Sequence, residues 1–555
     1  MKNNVLKIHP DDSVLVALAD LEPAEQIEWE GTSLTVAEAV PAKHKVALRD
    51  FAPGDPITMY GVLVGKAKQA IPVGGRLTTF NVQHATNSYD LQNSTYQWTP
   101  PVVDRWQNRT FMGYHRSDGR VGTANYWLVV PLVFCENRNI QVLEEALIND
   151  LGYSRRHTYQ QQTQELMELV QAGRTVEEVL QADLGQTAQS FSNLDRKSLR
   201  LFPNVDGVKF LAHEGGCGGT RQDAQALCGL LAGYITHPNV AGATVLSLGC
   251  QNAQVSMLQE EIRKRSPQFD KPLFVLEQQT IGTEESLISL ALRQTFAGLM
   301  QANAWVRQPA PLSKLTIGLE CGGSDGFSGI SANPAVGHAS DLLVALGGTV
   351  ILSEFPELCG VEQELCDRSV DAETGNRFRE LMNTYAQRAK EAGSGFDMNP
   401  SPGNIRDGLI TDAMKSAGAS KKGGSSPVVA VLDYPELVTK PGLNLLCTPG
   451  NDVESTTAEV GSGATVVLFT TGLGTPTGNP IAPVVKISSN TALAKRMPDI
   501  IDINTGTVID GDETIQQAGE RLLDQIIQVA SGDLEVAAVR HGQDDFIPWK
   551  RGVSL

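Results

Sequence analysis

Four cysteines occupy the same kind of position, at or just after the end of an apolar run that predicts a buried strand. If these strands share one parallel sheet, their carboxyl ends meet at one edge and the thiols converge there. Thiolates are soft ligands that bind zinc, iron or iron–sulfur clusters, so the pattern predicts a metal centre. The alternative is that each cysteine is a small buried residue, and no Cys-x-x-Cys spacing assigns a metal. The predicted metal ligands are Cys135, Cys217, Cys250 and Cys321.

Histidines provide the next candidates. His213 directly precedes the glycine-rich loop of Cys217, and it could be a metal ligand or a general base, because imidazole titrates near neutral pH. His44 is a second catalytic candidate, and it shares a small N-terminal segment with His84, where an exposed imidazole without a role is the alternative. The remaining cysteines lack the strand-end position, and we expect structural roles for Cys228, Cys359, Cys366 and Cys447.

Two lysines complete the predicted catalytic set. Lys415 and Lys422 lie in or beside loops rich in glycine and serine. An ammonium group there could hold a carboxylate, or it could act as a base if desolvation lowers its pKa. A solvated surface lysine is the alternative, and it suits Lys421 better than Lys422.

Two polar, glycine-rich loops follow predicted strands, at Glu320–Gly326 and Thr471–Gly478. Glycines there let a ligand approach the main chain, although a plain tight turn is the alternative for the first loop. Neither loop has dinucleotide spacing or a phosphate-binding lysine, so a hydroxylated or carboxylated small molecule fits better than ATP. The residues expected to bind substrate are Ser324, Asp325, Asn333, Asn404, Thr471 and Thr475.

The elements that must position these residues read as α/β units. Residues 315–319, 336–346 and 349–352 predict strand, helix and strand, which is the βαβ unit of a parallel sheet. We predict the domain organisation from such patterns and from breaks rich in proline. It comprises a small β module over 1–95, a linker over 96–110, a middle α/β domain over 111–305 and a C-terminal α/β domain over 306–555.

The overall composition narrows the function classes. The chain has 555 residues, a net charge of −18, 41% hydrophobic residues and 19% charged residues, as in an ordinary globular enzyme. The negative charge argues against nucleic acid and anionic membranes as partners. No apolar run is long enough to span a membrane, and the first residues lack the apolar core of a signal peptide. We therefore expect a cytoplasmic homodimer that acts on a small molecule.

Several longer motifs identify a family. The chain resembles the altronate/galactarate dehydratase family over almost its whole length, and its front module resembles the SAF, or β-clip, domain of that family. The C-terminal motifs are the most specific. The resemblance is carried by Asp118-Gly-Arg-Val-Gly-Thr-Ala-Asn125, Leu248-Gly-Cys-Gln-Asn252, Leu319-Glu-Cys-Gly-Gly-Ser-Asp-Gly326, Asn399-Pro-Ser-Pro-Gly-Asn404, Pro449-Gly-Asn-Asp452, Phe469-Thr-Thr-Gly-Leu-Gly-Thr-Pro476 and His44-Lys-Val-Ala-Leu48.

The resemblance implies a β-clip, a middle domain and a Rossmann-like C-terminal domain with a mostly parallel sheet. It also implies a hydro-lyase that dehydrates D-altronate to 2-dehydro-3-deoxy-D-gluconate with Fe²⁺. Our own hypothesis, from the strand-end pattern, is that Cys217, Cys250 and Cys321, together with Cys135, bind this iron as a single ion or as an iron–sulfur cluster. The chain departs from the family where arginine, glutamate or histidine is usual, and these changes bear on the length and charge of the substrate. They lie at Ala124, Leu473, Met414, Thr78 and Phe80.

Three other functions stay open on the sequence. A galactarate dehydratase would need two carboxylate clamps, against which the missing arginines argue. Elimination of sulfite from a sulfonated acid is a related reaction. A sugar-acid sensor without catalysis is disfavoured by the intact set of cysteines, because binding alone needs no redox-sensitive metal.

Overall fold

A computed structural model of the protein describes residues 4–29, 32–89, 96–154, 157–184 and 199–554. The front unit consists of short antiparallel strands in three small sheets, with orders β1-β2-β5, β3-β4 and β6-β7-β8. These strands are β1 Val5–Leu6, β2 Val14–Ala17, β3 Gln26–Trp29, β4 Thr32–Thr35, β5 Lys45–Ala47, β6 Pro56–Met59, β7 Val62–Ala67 and β8 Val82–Gln83. The predicted small β module is therefore confirmed.

The middle unit is built on a parallel sheet of order β12-β11-β13-β14. Its two central strands are fully buried runs, as expected when helices cover both faces. The strands are β11 Tyr126–Pro131, β12 Gly207–Phe210, β13 Val240–Ser247 and β14 Leu273–Glu277. The helices are α1 Asn137–Ile148, α2 His157–Gln171, α3 Val176–Leu180, α4 Arg221–Thr236, α5 Val255–Arg265, α6 Gln278–Ile281 and α7 Glu284–Ala302.

A small antiparallel sheet joins the start of the middle unit to its end. It has the order β10-β9-β15, with β9 Thr110–His115, β10 Val121–Gly122 and β15 Gln308–Pro311. This sheet was not predicted, because its strands are short and one contains two prolines that suit only an edge position.

The C-terminal unit contains a seven-stranded parallel sheet of order β18-β19-β17-β16-β20-β21-β22. This confirms the predicted α/β class and the parallel C-terminal sheet. The strands are β16 Thr316–Cys321, β17 Thr349–Leu352, β18 Val428–Leu432, β19 Gly442–Leu446, β20 Val466–Thr471, β21 Val484–Ser488 and β22 Ile503–Asn504. The helices are α8 Ala332–Ala345, α9 Glu362–Asp367, α10 Ala372–Glu391, α11 Pro402–Arg406, α12 Asp412–Ala419, α13 Asp452–Gly461, α14 Thr491–Arg496, α15 Thr507–Asp510, α16 Ile515–Ser531 and α17 Ala537–His541.

The two parallel sheets place their carboxyl edges near each other. Arg551, close to the end of the chain, donates its backbone N–H to Asp223 in the first turn of α4, over 3.0 Å. Its guanidinium pairs with Asp433, which directly follows β18. Because α4 begins at the carboxyl edge of the middle sheet, this residue connects the carboxyl edges of both sheets. Within the described ranges, no helix combines the length and apolarity that crossing a bilayer requires.

Candidate active site

An enclosed set of charged side chains lies at the carboxyl edge of the C-terminal sheet, and we call it the carboxylate–lysine cluster. Its members come from four segments that the fold brings together: the end of β16, the turn after β17, helix α12 and the turn that follows α12. They are Cys321, Glu354, Glu357, Lys415 and Lys422.

Two short ion pairs organise the carboxylate–lysine cluster. Lys422 Nζ lies 2.6 Å from Glu354 Oε2, and the side chains of this pair are each 1% exposed. Lys415 Nζ lies 2.6 Å from Glu357 Oε1, and the lysine of this pair is 11% exposed. Cys321 links the pairs, since its Sγ donates to Glu357 Oε2 over 3.1 Å and its backbone N–H donates to Glu354 Oε2 over 3.1 Å.

Glu354 holds a strained backbone conformation. Its φ of 61° and ψ of 57° place it in the left-handed region, which costs a non-glycine residue on the order of 1–3 kcal/mol. Its backbone N–H donates to Thr448 Oγ1 over 2.8 Å, which helps to hold this geometry. The conformation turns the carboxylate toward Lys422, and strain of this kind is concentrated at functional sites.

Both lysines of the cluster remain charged. Burial is the largest single influence and would lower the pKa of Lys415, but the Glu357 and Glu354 carboxylates together hold that pKa above its ordinary value. Burial likewise opposes the charge of Lys422, yet the Glu354 and Glu357 carboxylates together raise its pKa well above the ordinary value. A lysine that stays protonated cannot accept a proton, so the geometry favours charge stabilisation over the predicted base role. The expectation that Lys422 is more enclosed than Lys421 is confirmed, since Lys421 is 33% exposed.

Asp452 faces the cluster from the first turn of α13. Its carboxylate lies directly over Gly322, where an added Cβ would come within 1.9 Å of Asp452 Oδ2. Burial, with the Glu354 and Glu357 carboxylates nearby, raises the pKa of Asp452 to about 7. The side chain is only half-buried. It is therefore a carboxyl group that can exchange a proton near neutral pH and is open to a ligand.

The structure divides the four predicted metal ligands into two groups. Cys321 is 2% exposed, and its sulfur forms a close group with Glu354 and Glu357 rather than with another predicted cysteine ligand. Cys135, Cys217 and Cys250 are exposed and belong to the other sheet, that of the middle unit. We call these three the exposed cysteines.

The loops that carry the exposed cysteines touch one another. The backbone N–H of Phe134 donates to Gly215 O over 3.1 Å, and that of Ala253 donates to Gly216 O over 3.0 Å. Cys250 Sγ in turn accepts from Gln279 Nε2 over 3.3 Å. The three loops therefore form one surface at the carboxyl edge of the middle sheet, as the strand-end pattern predicted for these positions.

His213 has both ring nitrogens occupied by the backbone. Nε2–H donates to Pro131 O over 2.7 Å, and Nδ1 accepts from Gly215 N–H over 3.1 Å. Burial lowers its pKa to about 4, so the ring is neutral at physiological pH. These contacts position the loop of Cys217 rather than present a free base, which argues against the predicted catalytic role.

His44 lies where the front unit contacts the C-terminal unit. Its Nε2–H donates to Arg406 O over 3.0 Å, and Nδ1 faces Arg76 at 3.5 Å. The neighbouring Lys43 pairs with Asp325 at 3.0 Å and with Asp407 at 2.8 Å. His44 therefore sits in a docking contact beside the site, and the front unit helps to position the loop after β16.

Three of the predicted substrate-binding residues have their polar groups engaged inside the protein. Asp325 is fully buried and accepts from Ser489 Oγ over 2.7 Å, in addition to its pair with Lys43. Asn333 Oδ1 accepts from Thr470 Oγ1 over 2.7 Å. Asn404 Nδ2 donates to the backbone oxygen of buried Ser324 over 2.7 Å. These residues stabilise the loop and the helices around the site rather than offering free groups to a ligand.

Of the other three predicted substrate-binding residues, Ser324 is itself buried, and two lie over Gly323. Thr471 is buried, and its Oγ1 accepts from Gly474 N–H over 2.9 Å. Thr475 is half-exposed, with its Oγ1 3.1 Å from the position of an added Cβ on Gly323. Thr475 therefore is the predicted residue best placed to reach a substrate.

Sequence reasoning missed Glu354, Glu357, Asp452 and Asn399 as site residues. Asn399 Oδ1 accepts from Lys415 Nζ over 3.0 Å, so it completes the environment of that ammonium group. Glu354 and Glu357 directly follow a predicted strand, and the rule that identified the strand-end cysteines could have identified them also.

Comparisons with known proteins cover nearly the whole chain. Three family models match in succession: the altronate/galactarate dehydratase SAF domain over residues 3–85, the second domain of D-galactarate dehydratase/altronate hydrolase over 113–303, and the D-galactarate/altronate dehydratase C-terminal domain over 312–554.

Individual relatives match across similar lengths. The altronate dehydratases of Bacillus subtilis (strain 168) and Escherichia coli (strain K12) are each 34% identical to this chain, over 99% of both chains in each comparison. The galactarate dehydratase (L-threo-forming) of Escherichia coli (strain K12) is 32% identical over 95% of this chain and 92% of its own length.

Proposed function

This chain belongs to the altronate/galactarate dehydratase family, and we propose that it dehydrates D-altronate to 2-dehydro-3-deoxy-D-gluconate. Membership confirms the predicted enzyme class, a hydro-lyase that acts on a sugar acid. The observation that carries the proposal is the carboxylate–lysine cluster, in which Lys415 remains charged beside the half-buried carboxyl group of Asp452.

The chemistry of dehydration explains why such a pair is useful. The hydrogen on the carbon next to a carboxylate is weakly acidic, and its removal places a second negative charge on the acid. A fixed cation beside that acid lowers the barrier, because it stabilises charge that develops only in the transition state. We assign this role to Lys415, the less enclosed of the two charged lysines.

We assign the proton transfer to Asp452. A base with a pKa near the working pH is the most effective, and the pKa of Asp452 is about 7. The Asp452 carboxylate takes the proton from Cα, the electron pair forms the Cα–Cβ double bond, and the β-hydroxyl leaves as water with the proton that Asp452 then returns to it. The resulting enol becomes the 2-keto acid. Lys422 is too enclosed to reach substrate, and its part is to position Glu354.

Iron is the expected cofactor, and the structure contains two sets of side chains that could bind it. Cys321, Glu354 and Glu357 have ligand atoms within 4.8 Å of one another, but each glutamate already holds an ammonium group at 2.6 Å. The exposed cysteines offer three soft donors on loops that touch through their backbones, although their sulfurs do not all lie within 4.8 Å of one another. Thiolates suit iron or an iron–sulfur cluster with an open position. We propose that they hold the metal, which would supply a Lewis acid for the departing hydroxyl.

The substrate is proposed to be an aldonic acid rather than a diacid. A second carboxylate would need a second cation near the far end of the substrate. Leu473 lies beside the Gly323 loop, since its side chain lies within 4 Å of the positions where added Cβ atoms would lie on Gly323 and Gly403, and we assign the far end of the substrate to this region. An apolar side chain there disfavours galactarate, in agreement with the absence of arginine at this position.

The redox environment supports a cytoplasmic location. All eight cysteines are free thiols, and iron bound to thiolates survives best where thiols stay reduced. We propose the cytoplasm on this ground. A homodimer remains a prediction, which light scattering of the purified protein would check.

A substrate panel tests the proposed function. Purified protein, kept anaerobic and supplied with iron, is given aldonic, aldaric and sulfonated acids while 2-keto acid and sulfite are measured. We expect 2-keto acid from D-altronate with the highest kcat/KM. Preference for galactarate, or release of sulfite, would replace the proposal with one of the related eliminations. Binding of the acids with no product would indicate a sensor.

A further inference from the structure

A second group of metal-ligating side chains lies outside the carboxylate–lysine cluster, between the front unit and the C-terminal unit. From its geometry we propose that His84, Cys359 and Asp412 bind one zinc ion. A ring nitrogen of His84, the Cys359 sulfur and an Asp412 oxygen all lie within 4.8 Å of one another. These distances allow one small cation to reach all three ligands.

A buried oxygen provides independent support. Asp412 is 1% exposed, its carboxyl group interacts with the Cys359 thiol, and by hydrogen-bond geometry its Oδ2 has no partner among the described residues. A buried carboxylate oxygen without a partner is costly, and a cation removes that cost. The nearby Asp397 carboxylate adds negative charge that acts on both His84 and Cys359. The local field therefore also favours a cation.

The donor chemistry identifies the ion. One thiolate, one imidazole and one carboxylate form a mixed set that suits Zn²⁺, which is usually four-coordinate with water in any open position. Binding releases the thiol proton of Cys359 to solvent as the sulfur–zinc bond forms. This proposed role differs from the structural role that the sequence predicts for Cys359.

The position of the site suggests what the ion does. His84 belongs to the segment after β8, whereas Asp412 begins α12 and Cys359 follows the turn that contains Glu357. Lys415 lies one turn of α12 beyond Asp412. A zinc ion would therefore fasten the front unit to the two segments that carry the Lys415–Glu357 pair. The ion would be structural and take no part in the dehydration.

Cobalt substitution tests the site through a readout that does not depend on dehydratase activity. The full chain is made with Cys135, Cys217 and Cys250 changed to serine, so that the proposed iron ligands cannot contribute. After removal of metal, Co²⁺ is titrated and the sulfur-to-cobalt charge-transfer band is recorded. We expect one equivalent of Co²⁺ and a band that zinc displaces.

Single changes in that background locate the signal. Cys359→Ser should abolish the band, and His84→Gln or Asp412→Asn should weaken cobalt binding by at least about 100-fold, since even outer-shell changes cost 10–100-fold. Cys366→Ser is the matched control, because Cys366 is a buried cysteine nearby that is outside the group. Absence of the band, or a band that survives Cys359→Ser and is lost in Cys321→Ser, would overturn the proposal. Near-ultraviolet circular dichroism of each variant checks that the fold is intact.

Discussion

The carboxyl edges of the two parallel sheets carry chemically different groups. The edge of the C-terminal sheet encloses carboxylates and lysines, with Lys422 and Glu354 each 1% exposed. The edge of the middle sheet instead presents the exposed cysteines to solvent. Both sets occupy the place where α/β sheets commonly bind ligands. The ends of the strands therefore indicate where a site lies. Whether that site contains paired charges or reactive thiols depends on how deeply the surrounding residues bury it.

Burial explains why each set is suited to one kind of chemistry. In an enclosed environment a charge is expensive unless it is paired, so the lysines and glutamates hold one another in fixed ionisation states. Burial, with the Glu354 and Glu357 carboxylates beside it, raises the pKa of Cys321 well above its ordinary value, which keeps that thiol protonated and unreactive. An exposed thiol can instead release its proton to solvent and bind a metal as a thiolate, because water reduces the cost of the negative charge.

The largest effect is expected from Lys422→Met, which removes one lysine from the carboxylate–lysine cluster. The change leaves the Glu354 carboxylate buried without a cation, and losing one partner of a buried pair typically costs about 3–5 kcal/mol. We expect chemical denaturation to show that loss and the dehydratase rate to fall at least about 100-fold.

Lys421→Met is the matched control, because Lys421 is its neighbour, is 33% exposed and pairs with Glu364 at the surface. Its expected cost is at most about 1 kcal/mol. Equal free energies of unfolding for the two variants would show that the buried Lys422–Glu354 pair stabilises the protein no more than the surface pair does.

Asp452→Asn should separate activity from stability. Loss of a general base typically costs about 10²–10⁴ in rate, and exchange of the α-hydrogen with deuterated solvent should stop. In the wild-type enzyme the carboxylate form is needed, so kcat/KM should fall as the pH drops below about 7. Glu454→Gln is the control, since burial also raises the pKa of Glu454 but its side chain is outside the cluster.

The stability of Asp452→Asn should change in the opposite direction to its activity. The pKa of Asp452 is raised on folding, so the folded protein binds more protons than the unfolded chain between about pH 4 and 7. Stability of the wild type is therefore lost as the pH rises through that window, and the amide removes this loss. A variant that is less stable than wild type at pH 8 would contradict the assignment.

A third pair of variants tests whether the metal binds to the exposed cysteines or to the carboxylate–lysine cluster. Cys217→Ser removes one exposed ligand and should lower the affinity for iron at least about tenfold, with activity falling in proportion to the iron lost. Cys321→Ser should keep its iron, because Cys321 belongs to the enclosed edge. Iron content of both purified variants decides the matter. Loss of iron from Cys321→Ser alone would move the metal to the carboxylate–lysine cluster.

The sequence predicted this contrast only in part. Strand ends are local features, so the pattern of apolar runs correctly placed Cys135, Cys217 and Cys250 at one edge. The predicted domains already separated Cys321, in 306–555, from the other three, in 111–305, but the sequence could not show how the edges of the two sheets face each other, because that depends on contacts between distant segments. Strand β19 was missed, since its five residues include a glycine and an asparagine.

The pairing of residues in the carboxylate–lysine cluster also could not be predicted from the sequence. The partner of Glu354 is Lys422, 68 residues further along the chain, and no local pattern connects them. Whether a lysine acts as a base or as a fixed cation depends on such a partner, so both roles stayed open for Lys415 and Lys422. The ring of His213 bonds only to backbone groups, which leave no trace in the sequence.

The smallest effect is expected from His213→Gln, which loosens the exposed edge without touching its thiols. The change disturbs two hydrogen bonds that hold the loop of Cys217, so it should cost about 1–2 kcal/mol at pH 7. The pKa of His213 falls on folding to about 4, so the unfolded wild-type chain binds more protons between about pH 4 and 6.5, and wild-type stability rises with pH over that window. Glutamine does not titrate, so the stability gap should narrow as the pH falls from 7 to 4.

The activity of the same variant distinguishes positioning from catalysis. If His213 only positions the loop, His213→Gln keeps α-hydrogen exchange and loses at most part of its iron. His541→Gln serves as the control, since that exposed ring also bonds a backbone oxygen, at 2.9 Å from Asp499 O, yet lies away from both edges. Complete loss of exchange in His213→Gln, with iron and fold retained, would make His213 the base. The α-proton would then be removed beside the exposed cysteines and not by Asp452 at the carboxylate–lysine cluster, because a residue that only positions a loop could not produce that result.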